Sequence, residues 1–226
     1  HPLVFRAVKK ITGQNYIERC LIKAIKNDIV VYAAHTNLDN ATGGVNYRLA
    51  QMLGLQNVRI LSPKPDSLLK LVTFVPDSHA DNVRNALFKA GAGNIGDYDS
   101  CSYNISGEGS FRANENANPF VGKTGEIHFE KEIRIETILP KFKQDEVLRA
   151  LLAVHPYEEP AYDFYPLANS WEQAGSGIVG SLAEPMSEQE FLYLLKDVFQ
   201  LSTIQHTKMQ NKEIRDVAIC GGSGAF

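Results

Sequence analysis

The chain has 226 residues, 44% of them hydrophobic and 22% charged, with a formal net charge of -3 and a pI near 6.1. These values suit a globular chain of one large or two ordinary domains, and without a basic stripe they give no electrostatic basis for nucleic-acid binding. No apolar run approaches the ~20 residues of a membrane helix.

Cys20, Cys101 and Cys220 are odd in number and widely spaced. They form no disulfide framework, and the expected setting is reducing and cytoplasmic. Cys20 and Cys220 lie in apolar surroundings and read as small core residues. The chain starts at His1-Pro2 and stops just after a glycine-rich turn, Gly221 to Gly224, that follows an apolar strand. Such a turn normally feeds a helix, so the sequence reads as a fragment lacking residues on both sides.

In chain order, Ile17, Cys20, Leu21, Ala24 and Ile25 fall at helical spacing and predict an amphipathic helix over residues 15–27. The apolar run Ile29, Val30, Val31, Tyr32 predicts a short buried strand. A loop from His35 to Gly44 follows. Then comes a helix with Val45, Leu49, Met52 and Leu53 as its apolar positions and Gly54 as its stop. This is an α/β pattern. Pro63 and Pro65 mark a boundary. Beyond it the order is β-α-β-β-α-β: strand 69–75, helix 78–90, strands around Tyr103 and Ile133, helix 143–154, and an extended run 155–165. That is the ferredoxin-like order. A long polar loop is expected over residues 106–125, a length that favours a functional or mobile role. After the insert, strands are expected at 178–182, 203–207 and 215–219. Ser187 with Glu190 forms a capping box for a helix bearing Phe191, Leu194, Leu195 and Val198. The expected division is residues 1–67 and 168–226 as an α/β core, with 68–167 as an inserted α+β domain.

Several groups have side chains capable of chemistry. His35 and Asp39 stand four residues apart in an expected strand-to-helix loop, where open α/β folds place their sites. Imidazole with carboxylate suits Zn, Fe, Ni or Mn, and equally suits plain loop hydrogen bonding. His155 with Glu158 and Glu159 has metal or acid–base side chains, but Pro156 and Pro160 favour a rigid structural segment. The Gly221–Gly224 turn would cradle a phosphate or simply turn the chain. His79, His128 and His206 are expected to face water.

Five runs, HPLVF at 1–5, VYAAHTNLDNATGGVN at 31–46, GEGSFRANENANPFVG at 107–122, HPYEEPAYDFYPL at 155–167 and VAICGGSGAF at 217–226, together resemble the Nif-three-like dinuclear metal-centre family. Its members carry the label GTP cyclohydrolase I type 2 homologue. The resemblance covers nearly the whole chain. It implies a core of two α/β halves interrupted by a PII/CutA-like insert, and a homohexameric ring with metal centres facing the interior. It implies two divalent ions (Zn, Fe or Mn), with His1 and Asp39 as ligands and His35 in an orienting or proton-transfer role or, alternatively, as a further ligand. Three further ligands of the family have no counterpart in this sequence, so the fragment alone is expected to bind metal poorly.

The implied function is a metal-dependent hydrolase acting on a purine nucleotide or similar small molecule. The sequence has neither a Walker A loop nor a Rossmann fingerprint to support a nucleotide independently. The alternative is a non-enzymatic, metal-binding hexameric regulator whose insert senses a small ligand. A scaffold stabilised by metal is a third reading. No membrane partner is expected.

Overall fold

The computed structural model describes residues 2–222. Its elements are, in order, α1 (Tyr16–Lys26), α2 (Asn37–Asn40), α3 (Val45–Met52), β1 (Gln56–Lys64), β2 (Leu68–Pro76), α4 (Ala80–Lys89), β3 (Ser102–Arg112), β4 (Ile127–Pro140), α5 (Gln144–Val154), β5 (Tyr162–Leu167), β6 (Trp171–Ser187), α6 (Glu188–Val198) and β7 (Glu213–Ile219). The chain is a mixed α/β protein of two units. One comprises His1–Pro63 and Glu172–Phe226, the other Lys64–Trp171.

In the first unit α1 starts where its sequence says it must. The Asn15 side chain accepts a hydrogen bond from the Glu18 amide at 2.9 Å, and Lys23 and Lys26 face the negative end of the helix dipole. Glu18 then gathers the Thr12 amide (2.8 Å), the Thr12 hydroxyl (2.6 Å) and the Asn15 side-chain amide (2.7 Å). The Thr12 hydroxyl bond is the main reason its carboxyl is pushed down to about 2. The sheet runs β1-β6-β7, with β6 and β7 antiparallel from Ile178 opposite Ile219 to Ser187 opposite Glu213 and a register shift between Ser181 and Met186. Ala50 and Leu53 of the α3 region, Ile178 and Leu182 of β6 and Val217 of β7 form its core, and Phe191, Leu194 and Leu195 of α6 pack against it. The capping box of α6 is formed in full: Ser187 and Glu190 bond each other's backbone amides.

The second unit is a four-stranded antiparallel sheet of order β3-β4-β2-β5. With α4 and α5 this is the expected ferredoxin-like arrangement. Leu71 and Val75 of β2, Ile135 and Leu139 of β4, Val83 and Leu87 of α4, and Val147 and Leu151 of α5 form the core on one face of the sheet. The unit's first and last strands are neighbours, with Leu68 opposite Leu167.

Several expectations give way. Residues 29–32 form no strand, and Val30 and Tyr32 are 90% and 83% exposed. An apolar run states a need for cover, but a strand needs a hydrogen-bonding neighbour, and none pairs with this run among the described residues. His35 and Asp39 therefore do not follow a strand. Residues 203–207 are also not a strand; instead the amides of Gln210 and Asn211 bond the Glu188 carboxylate, both at 2.8 Å to Oε2. The first part of the expected 106–125 loop is β3, paired with β4 from Ser102 opposite Thr137 to Arg112 opposite Ile127. Gly107 and Gly109 had hidden the alternation. The apolar face of α3 is also rotated from the expected one. Val45 and Met52 are exposed and Leu53 is buried as expected, while Asn46 and Ala50 point inward.

Candidate metal-site loop

The loop from His35 to Gly44 is built by close backbone packing. His35 has φ +44°, in the left-handed region. The chain then makes the single helical turn α2 and returns on itself. A Cβ at Gly44 would collide with the Leu38 carbonyl, so this return needs glycine. Thr42 fastens the loop to β6: its hydroxyl donates to the Gln173 carbonyl at 2.8 Å, and Ala41 bridges Ala174.

Asp39 sits on α2, half-buried. Its carboxylate faces the turn after β7. A Cβ built on Gly222 would lie 3.0 Å from Asp39 Oδ2, and one on Gly221 would lie 3.5 Å from Oδ1. Gly222 has φ +73°, so the turn requires a residue that can adopt the left-handed region. Asn46 joins the two segments and is only 1% exposed. Its side-chain amide donates to the Asp39 carbonyl at 2.7 Å, and its Oδ1 accepts the Gly221 amide at 2.6 Å. Asn46 thus fixes the distance between the loop and the glycine turn. It also occupies the Gly221 N–H, which cannot then serve a phosphate. Sequence reasoning left Asn46 without a role. Its signal was a polar side chain in a stripe with Ala50 and Leu53, at spacings of four and seven residues.

The structure brings together Asp39, Asn46 and the Gly221–Gly222 turn. The His35 ring is edge-on to Phe5, with centroids 5.9 Å apart. His1, and residues 223–226 of the glycine turn, lie outside the described residues. No group of three or more His, Cys, Asp or Glu side chains is placed to hold a metal among the described residues. Asp39 nonetheless fits the role of a ligand. Its carboxylate accepts no hydrogen bond from a described residue, while its backbone is pinned by Asn46. A carboxylate with its lone pairs unspent, carried on a held backbone, suits a hard or borderline cation.

The other sequence candidates resolve differently. His155 is 8% exposed and structural: its Nε2 lies 3.0 Å from the Phe74 carbonyl and its Nδ1 accepts the Tyr157 amide at 3.1 Å. The Tyr157 bond fixes the proton on Nε2, which donates to Phe74. Burial holds its pKa below the ordinary imidazole value. Glu158 accepts the Asn118 amide at 2.9 Å. Two histidines expected to face water are half-buried against rings, His79 on Phe120 and His128 on Phe111, and His128 also pairs with Glu130 at 2.8 Å. His206 is exposed. All three cysteines are free and half-buried, so Cys20 and Cys220 are not core residues.

The fold and this loop define a mixed α/β protein with a ferredoxin-like unit inserted between two segments of a second unit. The chain belongs to the Duf34/NIF3 (NGG1p interacting factor 3) family, whose model matches residues 1–226. It is 46% identical over 225 residues to a Halalkalibacterium halodurans protein and 41% identical to one from Bacillus subtilis, both named "GTP cyclohydrolase 1 type 2 homolog". Each alignment covers 99% of this chain and 60% of the relative, so the chain spans about 60% of the length of the curated relatives it matches. Among solved structures, a Bacillus cereus protein related to NIF3 superposes with a TM-score of 0.79 at 42% identity, covering 99% of this chain and 59% of the other. A Staphylococcus aureus protein gives 0.62 at 26% identity, covering 99% and 58%. No described helix is long and apolar enough to cross a membrane.

Proposed function

We propose that this chain is part of a dinuclear metal-binding protein that hydrolyses a purine nucleotide or a similar small molecule. The observation that carries the reading is Asp39, whose backbone carbonyl is held by Asn46 and whose carboxylate faces the glycine turn and accepts no hydrogen bond from a described donor. Asp39 and His1 act as ligands to two divalent ions (Zn, Fe or Mn), and the remaining ligands come from outside this chain. When bound, such a pair supplies Lewis acidity and a water of lowered pKa. The chain's own contribution is positional. Asn46 and the glycine turn hold Asp39, and His35 orients the substrate or carries a proton. The names of the relatives support a nucleotide substrate. The protein works as a cytoplasmic homohexamer, with neither nucleic acid nor membrane as a partner.

Metal content per chain in the intact protein, with Asp39→Ala alongside, tests this reading. About two ions per wild-type chain and a marked loss in the variant support it. An unchanged complement in Asp39→Ala overturns it. Nucleotide hydrolysis that disappears with the metal supports the hydrolase. A second reading, a non-enzymatic metal-binding regulator, is favoured by the separate cavity in the inserted unit; metal retention without turnover would support it.

A further inference from the structure

The inserted unit carries an open cavity of about 710 Å³, within the range of small-molecule sites. The helices cover one face of its sheet, and the cavity lies over the other. Phe74 of β2 and Arg134 of β4 are register partners on its floor, and Gly107 of β3 stands opposite Glu132 of β4. Residues 113–120 and 157–161 complete its lining.

Two properties of the lining restrict what can bind. The first is aromatic. Phe111 and Phe120 flank Tyr157, with ring centroids 6.1 and 6.3 Å from it. The second is charge. Glu108, Glu132, Glu158 and Glu159 line the cavity, and among the described residues Arg134 is the one cation that lines it. Arg134 is paired with Glu136 through one terminal nitrogen at 2.8 Å and lies over the Phe74 ring at 5.9 Å, while its Nε is buried and has no hydrogen-bond partner among the described residues. None of the four lining carboxylates has an ion-pair partner among the described residues. Glu132 is held in place by the Tyr157 hydroxyl, which donates to it at 2.8 Å. It lies across the strand beside Gly109, where any Cβ would collide with its carboxylate.

We infer that this cavity binds a small organic cation, with an ammonium group set against the faces of Phe111, Phe120 and Tyr157 and neutralised by Glu132. Aromatic faces and fixed carboxylates both attract such a charge. The four carboxylates against one guanidinium make the lining net negative, which favours a cation over a nucleoside phosphate. The inference goes beyond the metal-site reading and stands whether or not Asp39 binds metal.

The test is calorimetric titration of the intact protein with choline and with phenethylammonium. Controls are the carbon isostere of choline, in which tert-butyl replaces trimethylammonium, and phenylacetate. At least one cation is expected to bind about tenfold or more tightly than its control, and Glu132→Gln is expected to weaken it by about tenfold. Gly107→Leu provides the steric arm. A Cβ at Gly107 meets nothing within 4 Å, so the larger side chain enters open space. This variant is expected to keep the wild-type circular dichroism and metal content while losing the cation. The inference is overturned if neither cation binds at millimolar concentration, if control and cation bind equally, or if a folded Gly107→Leu binds as well as wild type. Metal content in the same samples reports on the Asp39 site separately, so the two readings fail independently.

Discussion

Replacing Asn46 by alanine isolates the joint between the Asp39 loop and the glycine turn. The side chain is 1% exposed and makes two short hydrogen bonds, 2.7 Å to the Asp39 carbonyl and 2.6 Å from the Gly221 amide. Each such bond contributes about 1 kcal/mol net, and a partner left unsatisfied away from water costs about 1–3 kcal/mol. The two orphaned groups here are partly buried, which places the expected loss at about 2–4 kcal/mol in the stability of the first unit. With a urea slope of about 2 kcal/mol/M, the unfolding midpoint falls by about 1–2 M. Hydrogen exchange resolved by peptide locates the change: protection is expected to drop at Gly221 and along α3 while β2 and β4 keep theirs. Asn46→Asp keeps an acceptor for Gly221 but loses the donor to Asp39, and it adds a negative charge beside the Asp39 loop. It is expected to be no better than alanine at neutral pH. A loss below about 0.5 kcal/mol, with exchange at Gly221 unchanged, would refute the assignment of Asn46 as the joint.

Two further outcomes follow from titratable groups. Burial holds the His155 imidazole below its ordinary 6.5, so the unfolded chain takes up that proton first. The associated stability is present above about pH 6.5 and is lost as pH falls through the lower folded value; urea midpoints followed by the fluorescence of Trp171, the only tryptophan, are expected to fall between about pH 7 and 5, and less steeply in His155→Phe. Glu18 behaves as a depressed carboxylate, pushed from an ordinary 4.5 to about 2. Its contribution is present above about pH 4.5 and is lost toward pH 2, so Glu18→Gln flattens that acid limb and a carboxyl NMR titration of the wild type has its midpoint near 2.

Much of this architecture can be read from local signals. Asn15, Gly54 and the Ser187–Glu190 pair act through neighbours three or four residues away, and their elements form where the sequence places them. The ferredoxin-like order is legible for the same reason: its core residues alternate along strands and recur along helices. What escaped depends on distant partners. Residues 29–32 have the composition of a strand, but pairing is a property of the neighbour. The strand through Gly107 and Gly109 shows the converse, since β4 supplies an order that glycine-rich sequence conceals. At the site, Asp39 is visible as a residue type in a distinctive run. Asn46 is not, because its function is to reach Gly221, 175 residues away in sequence.

The pairing of Leu68 with Leu167 bears on how such a chain arises. Antiparallel partners stand about 4.5–5.5 Å apart, so the polypeptide departs and returns across a gap that a tight turn would span. The entropy of closing a loop is set by the separation of its ends and grows only with the logarithm of its length. To the flanking sequence, the intervening domain therefore weighs little more than a hairpin turn. Chain ends this close together are the geometry at which insertion of one domain into another is tolerated.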